Sequence, residues 1–188
     1  MEEVLKEAAE NPCEVFTLFE DEASFYRQPT QGLLWHWMGR KQPKMRYTHK
    51  SNTVMRVMGV LNAVNGKVYC EDTGSTTAER LGEFFKRVLS LYKEARKIYI
   101  IWDNWPVHYH QAVTRVLNGD TRVEIVPLPT YSPWLNKIEK VWKLTKQEVT
   151  HAHPWSDNFI EFRRQVRNHF LTLEKRPMEV LRYTGASN

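Results

Sequence analysis

The sequence predicts an α/β fold in which helices cover a mixed sheet. Two runs of β-forming residues meet at residues 65–66, an Asn-Gly pair, and predict a β-hairpin. Residues 98–102 are apolar on both faces, as in a central parallel strand. Residues 123–128 form another strand after a helical segment, so a right-handed crossover should join the two. No linker or repeat interrupts the 188 residues, which predicts a single domain over 1–188.

The remaining elements follow from local patterns in chain order. A short helix is expected over residues 2–10, and a buried strand over 13–19. The hairpin strands are expected over 53–64 and 67–71. Helices are predicted from Thr76 or Thr77 to about 95, over 107–117 and 133–150, from a cap at Asp157 to 173, and from Pro177 onward.

The basic residues are concentrated in one segment. The net charge is +5, but residues 23–70 contain no Asp or Glu and eight Lys or Arg, so the remainder carries −3 (5 − 8). We interpret this segment as a surface that faces a polyanion, against the alternative of a solvated loop depleted of acids by chance. Within it, residues 24–50 form a basic and aromatic insertion loop. The DNA contacts predicted there are Arg40, Lys41, Lys44 and Arg46.

The composition excludes several classes of protein. With 41% hydrophobic and 26% charged residues, the chain has the composition of a soluble globular protein and not of a disordered one. No apolar run reaches the roughly 20 residues needed to cross a bilayer, so we expect no membrane partner. The two cysteines, Cys13 and Cys70, lack metal-ligand spacing. We therefore expect a reducing cytoplasm, with nucleoid association if the host is bacterial.

Acidic residues from three parts of the chain are predicted to meet at one edge of the sheet. Asp103 ends the strand over 98–102, at the edge where ligands bind in such sheets. Glu139 comes 36 residues later (139 − 103), in the helix predicted after the next strand. It should lie about 9 Å beyond the start of that helix. An alternative is a surface ion pair between Glu139 and Lys143.

The third carboxylate must come from the run Glu20-Asp21-Glu22, at the end of the first predicted strand. Side-chain alternation places Asp21 on one face and the two glutamates on the other, but does not decide which face is used. Clustered oxygen ligands suit Mg²⁺ or Mn²⁺ better than zinc. Two such ions held by carboxylates can cut and join phosphodiesters.

Three sequence blocks resemble the signatures of a known family. They are Phe-Glu-Asp-Glu-Ala-Ser-Phe at 19–25, Trp-Asp-Asn followed by a histidine at 102–108, and Pro-Leu-Pro-Thr-Tyr-Ser-Pro-Trp-Leu-Asn-Lys-Ile-Glu at 127–139. In order, they resemble the mariner-like transposases and their bacterial insertion-sequence relatives, members of the Asp-Asp-Glu (DDE) superfamily. The resemblance covers about residues 15–150.

The resemblance implies a ribonuclease H-like fold, in agreement with the predicted element order. It implies that Asp21, Asp103 and Glu139 are the catalytic residues and the ligands of two Mg²⁺ or Mn²⁺ ions. The chain departs from the family pattern at Trp134, where an acidic residue is usual, and at Lys137, where proline is common. His108 is expected to contact a DNA phosphate or to orient a ligand, with helix capping or packing as the alternative.

The function implied is that of a DNA transposase catalytic domain, a metal-dependent endonuclease and strand transferase. It would act on transposon ends and insert them at TA targets, as a homodimer in the active complex. Residues 1–12 are too few for the helix-turn-helix module that reads transposon ends, so that module is expected to be separate or missing. The alternatives are an inactive or domesticated DNA-binding descendant and another ribonuclease H-like nuclease.

Overall fold

Five strands form one mixed sheet with helices on both faces. The computed structural model describes residues 1–30, 38, 45, 47–50 and 52–186. The strands are β1 (Val15–Tyr26), β2 (Val54–Asn62), β3 (Val68–Asp72), β4 (Lys97–Trp102) and β5 (Val123–Pro127). The helices are α1 (Glu2–Glu10), α2 (Ala78–Leu91), α3 (Gln111–Asn118), α4 (Glu139–Thr145), α5 (Phe159–Glu174) and α6 (Pro177–Thr184). The predicted α/β class, a mixed sheet flanked by helices, is confirmed.

The order of the strands across the sheet is β3-β2-β1-β4-β5. β1 runs antiparallel to β2 and parallel to β4, and β4 runs parallel to β5. β4 is therefore a central parallel strand, as its two apolar faces predicted. Phe19 on β1 pairs with Ile101 on β4. Two residues further along this register, Asp21 is level with Asp103 at the carboxyl edge of the parallel strands.

β1 is longer than the strand predicted over residues 13–19. β1 extends beyond the end of its neighbour β4, and this part of β1 still pairs with β2. Asp21, for example, lies opposite Gly59. Glu20, Asp21 and Glu22 therefore lie inside a strand and not after one. Since successive side chains of a strand point to opposite faces, Asp21 is separated from its two glutamate neighbours.

The two faces of the sheet have separate apolar cores. α2 and α3 cover one face, where Phe84, Phe85 and Trp102 are buried. α4, α5 and α6 cover the other face, where Phe25 and Trp142 are buried. Among the helices of the described ranges, none has the length and apolar character needed to span a membrane.

The prediction of one continuous helix over residues 133–150 is wrong. Pro133–Leu135 forms a separate 3-10 turn, and Asn136 then takes an extended conformation with φ −79° and ψ 105°. The chain leaves the helical path because the Asn136 amide donates a 2.8 Å hydrogen bond to the Glu20 carbonyl oxygen. α4 begins only at Glu139, so this carboxylate lies in the first turn of a helix and not two turns inside one.

Two other helix starts differ from the prediction. The helix expected over residues 107–117 is divided into a 3-10 turn, Pro106–Tyr109, and α3, whose N-cap is His110. Asn158, and not Asp157, caps α5, because the Asn158 side chain accepts a hydrogen bond from a backbone N–H of the first turn.

Candidate active site

The three predicted catalytic carboxylates line one cleft at the carboxyl edge of the parallel strands. Asp21 comes from β1, Asp103 follows β4, and Glu139 begins α4; the cleft has a volume of about 380 Å³. Its other lining residues are Asn104, Trp105, Leu128, Pro129, Thr130, Tyr131, Ser132, Pro133 and Asn136. The fold thus brings together side chains that are up to 118 positions apart in the chain (139 − 21).

The indole of Trp142 packs on the face of the sheet that carries Asp21 and contacts this carboxylate. Trp142 Nε1 donates a 3.0 Å hydrogen bond to Asp21 Oδ2. The indole can lie there because Gly59 stands opposite Asp21, and a Cβ at that glycine would be 2.4 Å from Trp142 Cη2. Burial, followed by the charges of Glu139 and Glu22, raises the pKa of Asp21 to about 7. The site therefore disfavours a charged Asp21 unless a cation is nearby.

Asp103 is accessible to solvent, with 57% of its side chain exposed. Its Oδ1 accepts a 2.9 Å hydrogen bond from the Trp105 backbone N–H. His108 Nδ1 lies 3.0 Å from the Asp103 carbonyl oxygen and 3.4 Å from Oδ1. These contacts orient an otherwise solvent-facing carboxylate.

Glu139 faces the cleft from the start of α4. Burial raises its pKa, the charge of Lys146 lowers it, and the charge of Asp103 raises it. The cation that acts on Glu139 is therefore Lys146, and not Lys143 as in the alternative drawn from helical spacing. The Asp103 effect shows that these two carboxylates share one electrostatic environment.

The three carboxylates are ligands of the type that divalent cations such as Mg²⁺ prefer. Asp21 and Glu139 each have a pKa raised by burial and by another carboxylate of the cleft, and bound cations would relieve this repulsion. In the part of the chain that the structure describes, the three do not form one cluster with all ligand atoms within 4.8 Å of one another.

A second acidic cluster lies on the opposite face of β1, behind Asp21. Glu20, Glu22 and His108 offer ligand atoms that all lie within 4.8 Å of one another. His108 Nε2 is 3.1 Å from Glu20 Oε2 and 3.8 Å from Glu22 Oε1. Burial alone would lower the pKa of His108, but the hydrogen bonds and charges of the two glutamates raise it to about 11. The His108 imidazole, in contact with both glutamates, thus joins β1 to the segment after β4.

His108 is not the DNA contact that the sequence predicted. Its side chain is 1% exposed and its ring stacks on Trp102 with centroids 4.5 Å apart, so a phosphate has no access to it. The alternative of a packing histidine is confirmed by this burial, and the expectation that His108 orients a ligand stays a prediction based on its contacts with Asp103. The four predicted contacts Arg40, Lys41, Lys44 and Arg46 lie outside the described residues.

Sequence reasoning missed two residues that build the site. No role is predicted for Trp142 from the sequence, and Asn136 enters only as part of the block at 127–139. Both side chains use a polar N–H to bind β1, at Asp21 and at the Glu20 carbonyl oxygen. Their signal in the sequence is a hydrogen-bond donor at a buried helical position, which needs a partner somewhere in the fold.

The family comparison matches most of the chain. The model described as "DDE superfamily endonuclease" matches residues 17–160, a span that contains all three carboxylates of the cleft. The chain belongs to this DDE superfamily endonuclease family. The predicted identity as a DDE catalytic domain is confirmed.

Known relatives agree with this assignment. The DDE domain is 27% identical over 170 residues to the insertion element IS630 uncharacterized 39 kDa protein of Shigella sonnei, covering 90% of this chain and 48% of the relative. It therefore spans about half the length of that relative.

Solved structures show the same fold. The Mos1 mariner paired-end complex with Mn matches with a TM-score of 0.65 and 15% identity, over 99% of this chain and 57% of that one. The Mos1 paired-end complex with Mg matches with a TM-score of 0.59 and 13% identity, over 98% and 58%. A chain of the simian T-cell lymphotropic virus intasome matches with a TM-score of 0.51 and 14% identity, over 77% and 42%. The predicted ribonuclease H-like fold of the DDE domain is confirmed.

Proposed function

We propose that this chain is the catalytic domain of a DNA transposase, which nicks DNA at transposon ends and joins the freed ends to target DNA. The observation that carries the proposal is the meeting of Asp21, Asp103 and Glu139 in one cleft. The carboxylates are the ligand type that Mg²⁺ and Mn²⁺ prefer. Family membership adds that the chemistry is that of an endonuclease.

The three carboxylates would hold two divalent ions. Asp21 and Asp103 would bind one, and Asp103 and Glu139 the other. Bound there, the ions would stabilise charge on the attacking and leaving oxygens during in-line displacement at phosphorus. The attacking oxygen belongs to water in the nicking step and to a DNA 3′-hydroxyl in the joining step.

The remaining site residues position these ligands. The indole N–H of Trp142 fixes one oxygen of Asp21. The Trp105 backbone N–H fixes Oδ1 of Asp103, and His108 contacts both that oxygen and the Asp103 carbonyl oxygen. His108 also pairs with Glu20, next to Asp21 in β1, so it links two of the three metal-binding segments. We therefore assign His108 as a positioning residue.

The DNA substrate and the assembly belong to the same proposal. The basic insertion loop with Arg40, Lys41, Lys44 and Arg46 would contact the phosphate backbone. A TA target, a homodimeric active complex and a separate helix-turn-helix module for end recognition are expected from the mariner-like resemblance. In a bacterial host, a DNA substrate places this activity at the nucleoid.

A plasmid assay tests the proposal. Purified chain is incubated with supercoiled plasmid and increasing Mg²⁺ or Mn²⁺, and nicked circles are counted. Nicking should need the cation and should be lost in Asp103→Asn and Glu139→Gln. The matched control is Glu94→Gln, an exposed carboxylate after α2 that does not line the cleft. Nicking that persists in both cleft variants would refute the assignment of the catalytic residues.

A second assay separates transposition from the alternative functions. Labelled DNA with a free 3′-hydroxyl is offered together with target plasmid, and joined products are measured. Joining supports a transposase. Nicking without joining supports another ribonuclease H-like nuclease, and DNA binding with neither reaction supports an inactive descendant.

A further inference from the structure

Two large aromatic side chains project into solvent at the mouth of the cleft. Tyr131 is 90% exposed and Trp134 is 73% exposed. Tyr131 lines the cleft itself, and Trp134 stands between Pro133 and Asn136, which also line it. Trp134 is also the position at which this chain departs from the acidic residue usual in mariner-like relatives.

The segment that carries the two rings is tied down at both ends. The Leu128 N–H donates a 2.8 Å hydrogen bond to the Trp102 carbonyl oxygen, and the Leu128 carbonyl oxygen accepts one of 2.9 Å from Asn104 Nδ2. At the other end, Asn136 Nδ2 donates to the Glu20 carbonyl oxygen at 2.8 Å. A ligand that binds the rings therefore has little backbone to order, which favours binding.

The fold buries little of these two side chains. Tyr131 has a φ of 60°, in the left-handed region that a bulky side chain rarely adopts. Such strain persists only where the surrounding structure enforces it, and it is concentrated at sites of function. An exposed tryptophan beside a strained, exposed tyrosine is therefore a feature that needs a binding partner to explain it.

The partner must suit both the rings and the cleft beneath them. Thr130 and Ser132, the sequence neighbours of Tyr131, line the cleft with it, so the surroundings of that ring include polar side chains. A nucleotide combines a phosphate, which the carboxylate cleft would process, with a flat base whose π face stacks on aromatic side chains. Bases inside a duplex have both faces covered by their neighbours, whereas an unpaired or extruded base has a face free.

We propose that Tyr131 and Trp134 form a stacking site for an unpaired nucleobase next to the phosphodiester in the cleft. This inference rests on the proposed function, because it takes the ligand of the cleft to be DNA. It adds a local opening of the duplex at the reacting position, and it gives Trp134 a role specific to this chain.

Binding without cleavage tests the site. Affinity is measured by fluorescence anisotropy in EDTA for a labelled single strand, for its duplex, and for the same duplex with one unpaired nucleotide. Trp134→Ala should weaken binding of the single strand and of the duplex with the unpaired nucleotide by about 5- to 150-fold. Binding of the intact duplex should not change. Trp134→Phe should restore most of the loss, because the benzene ring also stacks.

Controls separate stacking from damage to the fold. Tyr131→Ala should act like Trp134→Ala, whereas Tyr183→Ala, an exposed tyrosine on α6 that does not line the cleft, should have no effect. A 2-aminopurine base in the unpaired position should be quenched by the wild type and much less by Trp134→Ala. Because both rings are exposed, the variants should melt at the wild-type temperature.

The outcomes distinguish the inference from the proposed function. If the wild type nicks plasmid but Trp134→Ala binds unpaired DNA as tightly as the wild type does, the stacking site is refuted and the function stands. If Trp134→Ala instead changes the oligomeric state in sedimentation with unchanged DNA affinity, the rings contact a second copy and the inference is again refuted. If nicking fails but affinity for unpaired DNA falls in Trp134→Ala, the stacking site stands and the proposed catalysis is refuted.

Discussion

Replacing Asp21 by Asn is expected to stabilise the metal-free protein while abolishing nicking. Burial and the charges of Glu139 and Glu22 raise the pKa of Asp21 from its ordinary 3.8 to about 7. A carboxyl group whose pKa is raised by folding destabilises the folded state wherever the pH favours its charged form. Asn retains an oxygen for the Trp142 indole N–H and carries no charge, so the variant avoids this cost.

The size of the effect follows from the shift and depends on pH. The stability contributed by protonated Asp21 is complete below the unfolded pKa of 3.8 and is lost as the pH rises through the folded pKa of about 7. At 1.36 kcal/mol per pKa unit, the loss is about 1.6 kcal/mol at pH 5 and about 4 kcal/mol at pH 8. Residual solvent contact of Asp21 reduces both values. The stability difference between the variant and the wild type should therefore increase by about 2 kcal/mol from pH 5 to pH 8.

Urea unfolding in EDTA, followed by far-UV circular dichroism, measures this gain. Both proteins are unfolded at pH 5 and at pH 8, and the free energies of unfolding are subtracted at each pH. The subtraction cancels the titration of groups that do not interact with Asp21, such as His153. Adding Mg²⁺ at pH 8 should raise the free energy of unfolding of the wild type more than that of the variant.

Two results would refute the reasoning. The difference between variant and wild type could be equal at the two pH values, or Asp21→Asn could be the less stable protein at pH 8. Either result would mean that the charge of Asp21 is already compensated in the metal-free protein. A bound cation would then have no repulsion between carboxylates to relieve at Asp21. Glu94→Gln provides the control, because this exposed carboxylate should change stability equally at both pH values.

Two further variants probe the supports of the site. Gly59→Ala places a Cβ 2.4 Å from the Trp142 ring, so the free energy of unfolding measured in urea should fall by about 1–3 kcal/mol. Displacement of this ring should also reduce nicking, because its indole N–H donates to Asp21. Unchanged nicking would show that this donor is dispensable. His108→Ala removes the partner of buried Glu20 and should lower the free energy of unfolding by about 3 kcal/mol. Adding Glu20→Gln to this variant should restore part of the loss, because the unpaired carboxylate is then absent. No recovery in the double variant would contradict the ion pair.

Asp103 was predictable because it lies at a position where the chain pattern and the chemistry of the sheet edge coincide. Asp103 follows a strand that is apolar on both faces, and such strands end where ligands bind. Asp21 was different: alternation separated it from Glu20 and Glu22 but could not say which face points to the cleft. Only the family resemblance chose Asp21, and the cleft of the folded chain contains it.

The supporting contacts were not predictable, because they depend on tertiary hydrogen bonds. Helical periodicity predicts a helix that continues through Asn136. In the structure the helix is interrupted there, where the Asn136 amide donates a hydrogen bond to the Glu20 carbonyl oxygen. Likewise, a tryptophan in an apolar stripe gives no sign that its N–H will reach a strand 121 positions away. The sequence predicts a DNA contact for His108 because its actual partner, Glu20, is far away in the chain and cannot be identified from spacing.

The hydrogen bond between Asn136 and Glu20 spans 116 positions, and it has a consequence for synthesis of the protein. This bond can form only after the ribosome has made the chain past residue 136, so Glu139 cannot dock beside Asp21 before that point. A product that ends before α4 thus lacks one of the three carboxylates of the cleft, together with the Asn136 and Trp142 side chains that bind β1.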